Sequence, residues 1–237
     1  MIPNRIIVTY ISKAALNPLM KMCVQKMSDL HPDWEIVFFS DGDCEEFVRQ
    51  QGPGFLELYR WYPRPVMRAD FFRVLAVHVL GGFYLDADFL LSAPLDPLRN
   101  YAAVFPWEQQ MSDTEFEKRF PKAGRQGEKH WMLGQYAFGA EAGHPFTGML
   151  LEEMITRTAS FEADRCTDLD VLHATGPDLV TTCYYREPKR WNTLTLLHGE
   201  ANAEAGEEAV FGSRRAERFG RYGRHLLNGG WKSVQAI

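Results

Sequence analysis

The segment from Arg68 to Asp88, RADFFRVLAVHVLGGFYLDAD, constrains this chain more than any other. Apolar residues at Val66, Phe71 or Phe72, Val74, Leu75 and Val79 recur at steps of three and four, which predicts a helix with one buried stripe. Gly81 and Gly82 end that helix and allow a tight turn into a short strand, Phe83-Tyr84-Leu85. The strand runs straight into Asp86-Ala87-Asp88. Two carboxylates one residue apart at the end of a buried strand are costly. Desolvation and mutual repulsion both oppose their charge unless a cation or hydrogen-bond donors satisfy it. A divalent metal ion is the simplest such partner. The helix also carries Asp70 and Arg73, i,i+3 neighbours on one face. Alone, they read as a surface ion pair worth little. Packed beside the Asp86/Asp88 strand, they read as part of one site.

Strand and helix patterns alternate along the rest of the chain, which predicts an α/β fold with a largely parallel sheet. Strands are expected over Arg5–Ile11, Glu35–Phe39, Ala102–Trp107, Leu133–Ala140 and about Thr193–His198. Helices are expected from Pro18, from Asp41 or Asp43 as cap, over Val66–Leu80, from Pro145, and over Pro177 to about Tyr185. Gln109 to His130 is polar and broken by Pro121-Lys122-Ala123-Gly124, so it reads as a loop with one short helix. In open α/β sheets ligands sit beyond the carboxyl ends of the strands. That rule puts Thr9, Tyr10, Ser40, Asp41, Asp86 and Asp88 on one rim.

The chain's 237 residues, 46% hydrophobic and 24% charged, suit one globular domain. A net charge of −5 gives no general attraction to nucleic acid or anionic lipid, so no nucleic-acid partner is expected. The N-terminus lacks a signal-peptide pattern, and no run reaches the about 18 apolar residues of a membrane span. Cys23, Cys44, Cys166 and Cys183 show no zinc or redox spacing and read as reduced, packed thiols.

The run RADFFR…GGFYLDAD resembles glycosyltransferase family 32, the transferases whose sugar-binding region carries a DXD motif. Family relatives include the yeast initiating α-1,6-mannosyltransferase, bacterial capsule and lipopolysaccharide transferases, and the glucosyltransferase domain of clostridial toxins. Further matches extend it: Ile2 to Ile7, Pro32 to Asp43, Pro94-Leu95-Asp96, Gly143-His144-Pro145-Phe146, Thr175-Gly176-Pro177 and the terminal His225 to Trp231. The resemblance implies a GT-A-type fold, a single Rossmann-like domain over 1–237. Its nucleotide-sugar half would be 1–108 and its acceptor-side half 109–237. It also implies a retaining, Mn²⁺- or Mg²⁺-dependent enzyme that moves a sugar from a UDP- or GDP-sugar to a glycan, lipid-linked saccharide or other hydroxyl acceptor. Bacterial surface polysaccharide synthesis and a cytoplasmic location, with peripheral attachment at the inner membrane as an option, complete that expectation.

Carried over residue by residue, Asp88 is the firmer metal ligand and Asp86 the nucleotide contact, with His225 a third ligand. Arg73 would reach a phosphate or donor oxygen, and Asp70 would accept bonds from donor-sugar hydroxyls. Thr9, Tyr10, Asp41, Gln135 and Trp231 complete the donor side. Gln135 stands where relatives often carry asparagine, and Gly230 where they carry serine. Three of these residues have a second reading. Tyr10 is equally a half-buried strand tyrosine, Asp41 a helix cap, and His225 a surface histidine beside Arg221 and Arg224. Two other functions use the same residues. A haloacid-dehalogenase-type phosphatase also has a strand-end DxD, although Leu90 stands where it needs Thr or Val. A non-catalytic sugar- or nucleotide-binding module would use the six tryptophans but leaves the four charged residues without a task.

Overall fold

The computed structural model describes residues 1–121, 130–158, 163–198 and 218–226. Its elements run β1 (Arg5–Thr9), α1 (Pro18–Leu30), β2 (Glu35–Phe39), α2 (Asp41–Gln51), α3 (Pro53–Trp61), α4 (Pro65–Leu80), β3 (Gly82–Leu85), β4 (Phe89–Leu91), β5 (Ala103–Met111), α5 (Asp113–Arg119), β6 (His130–Leu133), β7 (Ala137–Ala140), α6 (Pro145–Thr158), α7 (Asp168–Ala174), α8 (Pro177–Arg186), β8 (Leu194–His198) and β9 (Gly223–His225).

Seven strands form the central sheet in the order β2-β1-β3-β7-β5-β6, with β8 paired to β5. β2, β1 and β3 are mutually parallel, β7 is antiparallel to both β3 and β5, and β8 is parallel to β5. The strands β1, β2, β3, β5 and β8 therefore point one way, and only β6 and β7 point back. A mostly parallel sheet must be covered on both faces. Helices α4, α6 and α8 cover one, packing Phe71, Phe72, Phe146 and Leu179 against Phe105 and Phe138. Helix α1 and the small β4–β9 sheet cover the other, where Met20 and Met27 meet Phe83, Leu85 and Phe89.

Local chemistry sets the element ends. Asn17 caps α1 by accepting the Met20 N–H, with Pro18 at the first position. Ser40, rather than Asp41 or Asp43, caps α2. Its hydroxyl accepts the Asp43 N–H while the Asp43 carboxylate accepts the Ser40 N–H, a reciprocal capping box. Helix α4 is buried nearly all round, from Met67 through Val77, instead of on one stripe, because α2, α3, α6 and α7 also touch it. It ends at Gly81, whose φ of 64° favours glycine. At Gly82 a Cβ would stand 2.8 Å from the Arg5 carbonyl, so glycine lets β3 lie against β1.

Two expected segments differ in the structure. Leu133–Ala140 is two strands, β6 and β7, separated by the Gly134–Tyr136 turn. The polar stretch from Gln109 starts as the end of β5, continues through α5 and ends in β6; residues 122–129 lie outside the described residues. All four cysteines are free thiols; Cys23, Cys44 and Cys183 are buried.

Three histidines hold the fold in their neutral form, His31 and His144 buried and His78 half-buried. His31 Nε2 accepts the Leu95 N–H at 2.8 Å while Nδ1 meets the Met27 carbonyl at 2.9 Å. His144 Nδ1 accepts the Phe146 N–H, and His78 Nδ1 meets the Thr147 hydroxyl. Burial lowers all three pKa values below the ordinary imidazole value. A lowered folded-state pKa contributes stability above the unfolded pKa of about 6.5 that is lost as pH falls through the folded value. The melting-temperature gap between wild type and His31→Gln should therefore be widest near pH 7.5 and shrink below pH 6.5. A gap that is constant or grows on acidification would contradict this assignment.

Candidate active site

The helix α4 and strand β3 bring Asp70, Arg73, Asp86 and Asp88 together. Asp70 and Arg73 are buried, at 3% and 7% exposure, so the surface-pair reading is excluded. Arg73 Nη2 lies 3.1 Å from Asp70 Oδ1, and Nη1 lies 3.5 Å from Asp86 Oδ1. Nη1 also donates to the Gln135 carbonyl at 3.1 Å, and the guanidinium sits over the Tyr84 ring. Both carboxylates have further donors. The Thr175 hydroxyl reaches Asp70 Oδ2 at 2.9 Å, and the Tyr84 hydroxyl reaches Asp86 Oδ1 at 2.7 Å. Sequence reasoning assigned neither hydroxyl a role. Tyr84 was findable, since strand residues i and i+2 share a face with Asp86. Thr175, 105 residues from Asp70, left no local signal.

The electrostatics follow from one guanidinium serving several acids. Burial pushes the Asp70 carboxyl up to about 6, against the opposing pull of Arg73 and the Thr175 hydrogen bond. For Arg73 burial works against the charge, but Asp86, Tyr84, Asp70 and Asp88 together more than offset it and hold the cation on. Asp70 gains only a share of Arg73 and also feels the Asp86 charge, so the two directions are consistent.

Beyond β3 the chain turns through the DXD motif into β4, which pairs with β9 so that Phe89 stands opposite His225. The Leu226 N–H donates to the Asp88 carbonyl. This pairing takes His225 out of the surface role and sets its Nε2 2.9 Å from Asp88 Oδ1 and 3.4 Å from Asp86 Oδ2. Its ring stacks on Tyr136, 5.3 Å between centroids. One ligand atom from each of Asp86, Asp88 and His225 lies within 4.8 Å of the others. Two carboxylate oxygens and one imidazole nitrogen form a donor set that fits Mn²⁺ or Mg²⁺, hard ions that take oxygen ligands.

The remaining predicted residues divide between the two faces of the sheet. Thr9 and Asp41 line a cleft of about 210 Å³ with Gly42, Cys44, Tyr59 and Arg68. The Thr9 hydroxyl is engaged with the Phe39 carbonyl and Cys44 Sγ. Tyr10, the residue just after β1, is half-buried on the α1 face and does not line that cleft. Gln135 is buried; its Nε2 donates to the Thr175 carbonyl, and its Oε1 has no partner among the described residues. Trp231 lies outside the described residues.

Residues 18–105 match the family model described as the glycosyltransferase sugar-binding region containing DXD motif. This chain carries that region. The match begins at α1 and runs into β5, so it includes Asp70, Arg73, Asp86 and Asp88 but not His225. Among curated relatives of this DXD chain, inositol phosphoceramide mannosyltransferase 3 of Schizosaccharomyces pombe is 29% identical over 157 residues, covering 66% of this chain and 36% of the relative. The initiation-specific alpha-1,6-mannosyltransferase of Candida albicans is 21% identical over 252 residues, covering 88% of this chain and 66% of the relative. The DXD chain thus spans about a third of the length of the first of these relatives and under two thirds of the second. Of solved structures, the PaToxG glycosyltransferase superposes with a TM-score of 0.51 at 13% identity, over 81% of this chain and 72% of that one. The fold is of the GT-A type.

Proposed function

We propose that this protein is a glycosyltransferase that binds a nucleoside-diphosphate sugar and transfers the sugar, with retention at the anomeric carbon, to a hydroxyl of a glycan or glycolipid. The convergence of Asp86, Asp88 and His225 beside Arg73 is the observation that carries this reading. The three ligands would hold Mn²⁺ or Mg²⁺, which when bound supplies Lewis acidity to a diphosphate leaving group. Arg73 presents its fork to a phosphate or donor-sugar oxygen. Asp70, locked by Arg73 and Thr175, accepts bonds from donor-sugar hydroxyls, and a donor lacking the matching hydroxyl leaves that carboxylate unpaired. The cleft at Thr9 and Asp41 takes the nucleoside end. The named activities of the fungal relatives favour mannose as the sugar and an inositol phosphoceramide-like glycolipid as the acceptor. No helix among the described residues is long and apolar enough to cross a membrane.

Thermal-shift screening of UDP- and GDP-sugars with and without Mn²⁺ tests this. A true donor at a hundred times its Kd should add about 2.7 kcal/mol of stability. The account expects one nucleotide class to raise the melting temperature only with the ion. No shift with any nucleotide sugar would overturn it.

A further inference from the structure

Strand pairing sets the Thr9 cleft beside the cation site. Strands β1 and β3 pair with Ile7 opposite Tyr84, and this register carried on by two residues sets Thr9 level with Asp86, one strand spacing of about 4.8 Å away. On its other side Thr9 pairs with Phe39, the last residue of β2, where the chain turns through Ser40 into Asp41. Ile7 and Tyr84 pack in the core beneath α4, and the Tyr84 hydroxyl meets Asp86. Pro65, Arg68 and Ala69 of the same helix line the cleft with Thr9. The cleft and Asp86 therefore open on one face of the sheet. A nucleotide whose diphosphate meets Asp86 puts its base among Asp41, Tyr59 and Arg68.

The walls of this cleft carry two uncommitted charges. Ser40 caps α2, so the helix does not use the Asp41 carboxylate, which has no bonded partner among the described residues. The acids next to it are engaged: Asp43 closes the capping box, and Glu45 pairs with Arg60. Arg68 donates its Nε–H to the Tyr62 carbonyl at 3.2 Å, which fixes the guanidinium and leaves both Nη groups for another acceptor. Burial raises the pKa of the Tyr59 phenol; the charges of Cys44 and Asp41 add to that and Arg68 opposes it, so one ring lies in the field of both groups. A cleft of about 210 Å³ is smaller than the roughly 300 Å³ at which drug-sized sites begin, and it suits one planar base between apolar walls such as Pro65 and Ala69.

We propose that this cleft reads guanine, with the Asp41 carboxylate accepting the N1–H and N2–H of the base and the Arg68 Nη groups donating to its O6 and N7. This rests on the glycosyltransferase reading and names the nucleotide of its donor. Guanine alone among the common bases presents two adjacent N–H donors, which match the two oxygens of a carboxylate. Uracil has one N–H between two carbonyls, so a carboxylate that meets it sets its second oxygen against a carbonyl. O6 and N7 are two acceptors on one edge, and a guanidinium fork meets such a pair with two parallel bonds.

The test measures the affinity of GDP, inosine diphosphate, xanthosine diphosphate and UDP, each with Mn²⁺, for wild type, Asp41→Asn and Arg68→Gln, with melting temperatures alongside. Inosine diphosphate lacks the 2-amino group, and xanthosine diphosphate has a carbonyl in its place. Wild type should bind GDP at least roughly tenfold more tightly than inosine diphosphate or UDP. Asp41→Asn should bind xanthosine diphosphate more tightly than GDP, because the amide oxygen still accepts the N1–H while the amide NH₂ donates to the new carbonyl. Arg68→Gln should weaken GDP and inosine diphosphate by the same factor, since O6 and N7 are common to both. UDP bound by wild type as tightly as GDP overturns the proposal, as does an Asp41→Asn variant that keeps the wild-type order of the four. If wild type binds none of them with Mn²⁺, the glycosyltransferase reading has failed and this inference with it; if UDP binds best and needs the ion, only this inference has.

Discussion

Replacing Asp70 with Asn should reduce donor turnover by roughly 10²-fold or more while leaving the protein as stable as wild type or more so. The activity loss is the size expected for one preorganised contact to the reacting sugar or its transition state. The stability result comes from burial. Asp70 is almost completely enclosed, and burial raises its carboxyl to about 6 despite Arg73 and Thr175. A raised folded-state value means that the fold gains most from this residue below the unfolded pKa of about 3.9, and that the gain is lost as pH rises through the folded value. Above pH 7 the wild type carries a desolvated charge that Asn does not, and the Asn side chain can still meet the Thr175 hydroxyl. The melting-temperature advantage of Asp70→Asn should therefore grow between pH 4 and pH 7. A variant that is both unstable and fully active per folded molecule would return Asp70 to a structural role.

Arg73→Ala should behave differently, because two carboxylates pair with one guanidinium. Asp70 and Asp86 lose their shared partner inside the protein, and removing one member of a buried ion pair typically costs about 3–5 kcal/mol. Asp70 then takes a proton at neutral pH, which limits the loss. Arg73→Lys keeps the charge but not the planar fork that meets Asp70, Asp86 and the Gln135 carbonyl together, so it should recover stability better than turnover.

Much of this site was legible before any coordinate. Asp70, Arg73, Asp86 and Asp88 lie within one helix–turn–strand unit, and the local rules of helix face and strand end brought them together. The strands β1, β2 and β8 and the helices α1 and α8 followed from period and capping in the same way. Other features depend on distant partners. His225 reaches the DXD turn through a pairing of two three-residue strands, β4 and β9, too short to carry a period. The break between β6 and β7 lies at Gly134–Tyr136, where hydrogen bonds to Arg73, to the Pro106 carbonyl of β5 and from the Asp86 N–H override an apolar run that reads as one strand. The helices α3 and α7 carry weak local signals because each is short: α3, nine residues, starts at Pro53 with no side-chain cap, and α7, seven residues, has only the Thr167 cap to mark it. Tyr10, just past the end of β1, lies on the α1 face while Thr9 lines the cleft beside α4, a separation that the rim rule alone does not include.

The central claim is that Asp86, Asp88 and His225 form a cation site serving a nucleoside diphosphate. Calorimetric titration of UDP and GDP into wild type and Asp88→Ala, each with Mn²⁺ and with EDTA, tests it most directly. The account predicts that one nucleotide binds wild type tightly with Mn²⁺, that EDTA weakens this by at least about tenfold, roughly 1.4 kcal/mol, and that Asp88→Ala removes the metal dependence with its melting curve still cooperative. Equal affinity with and without the ion, in wild type and variant alike, would contradict it.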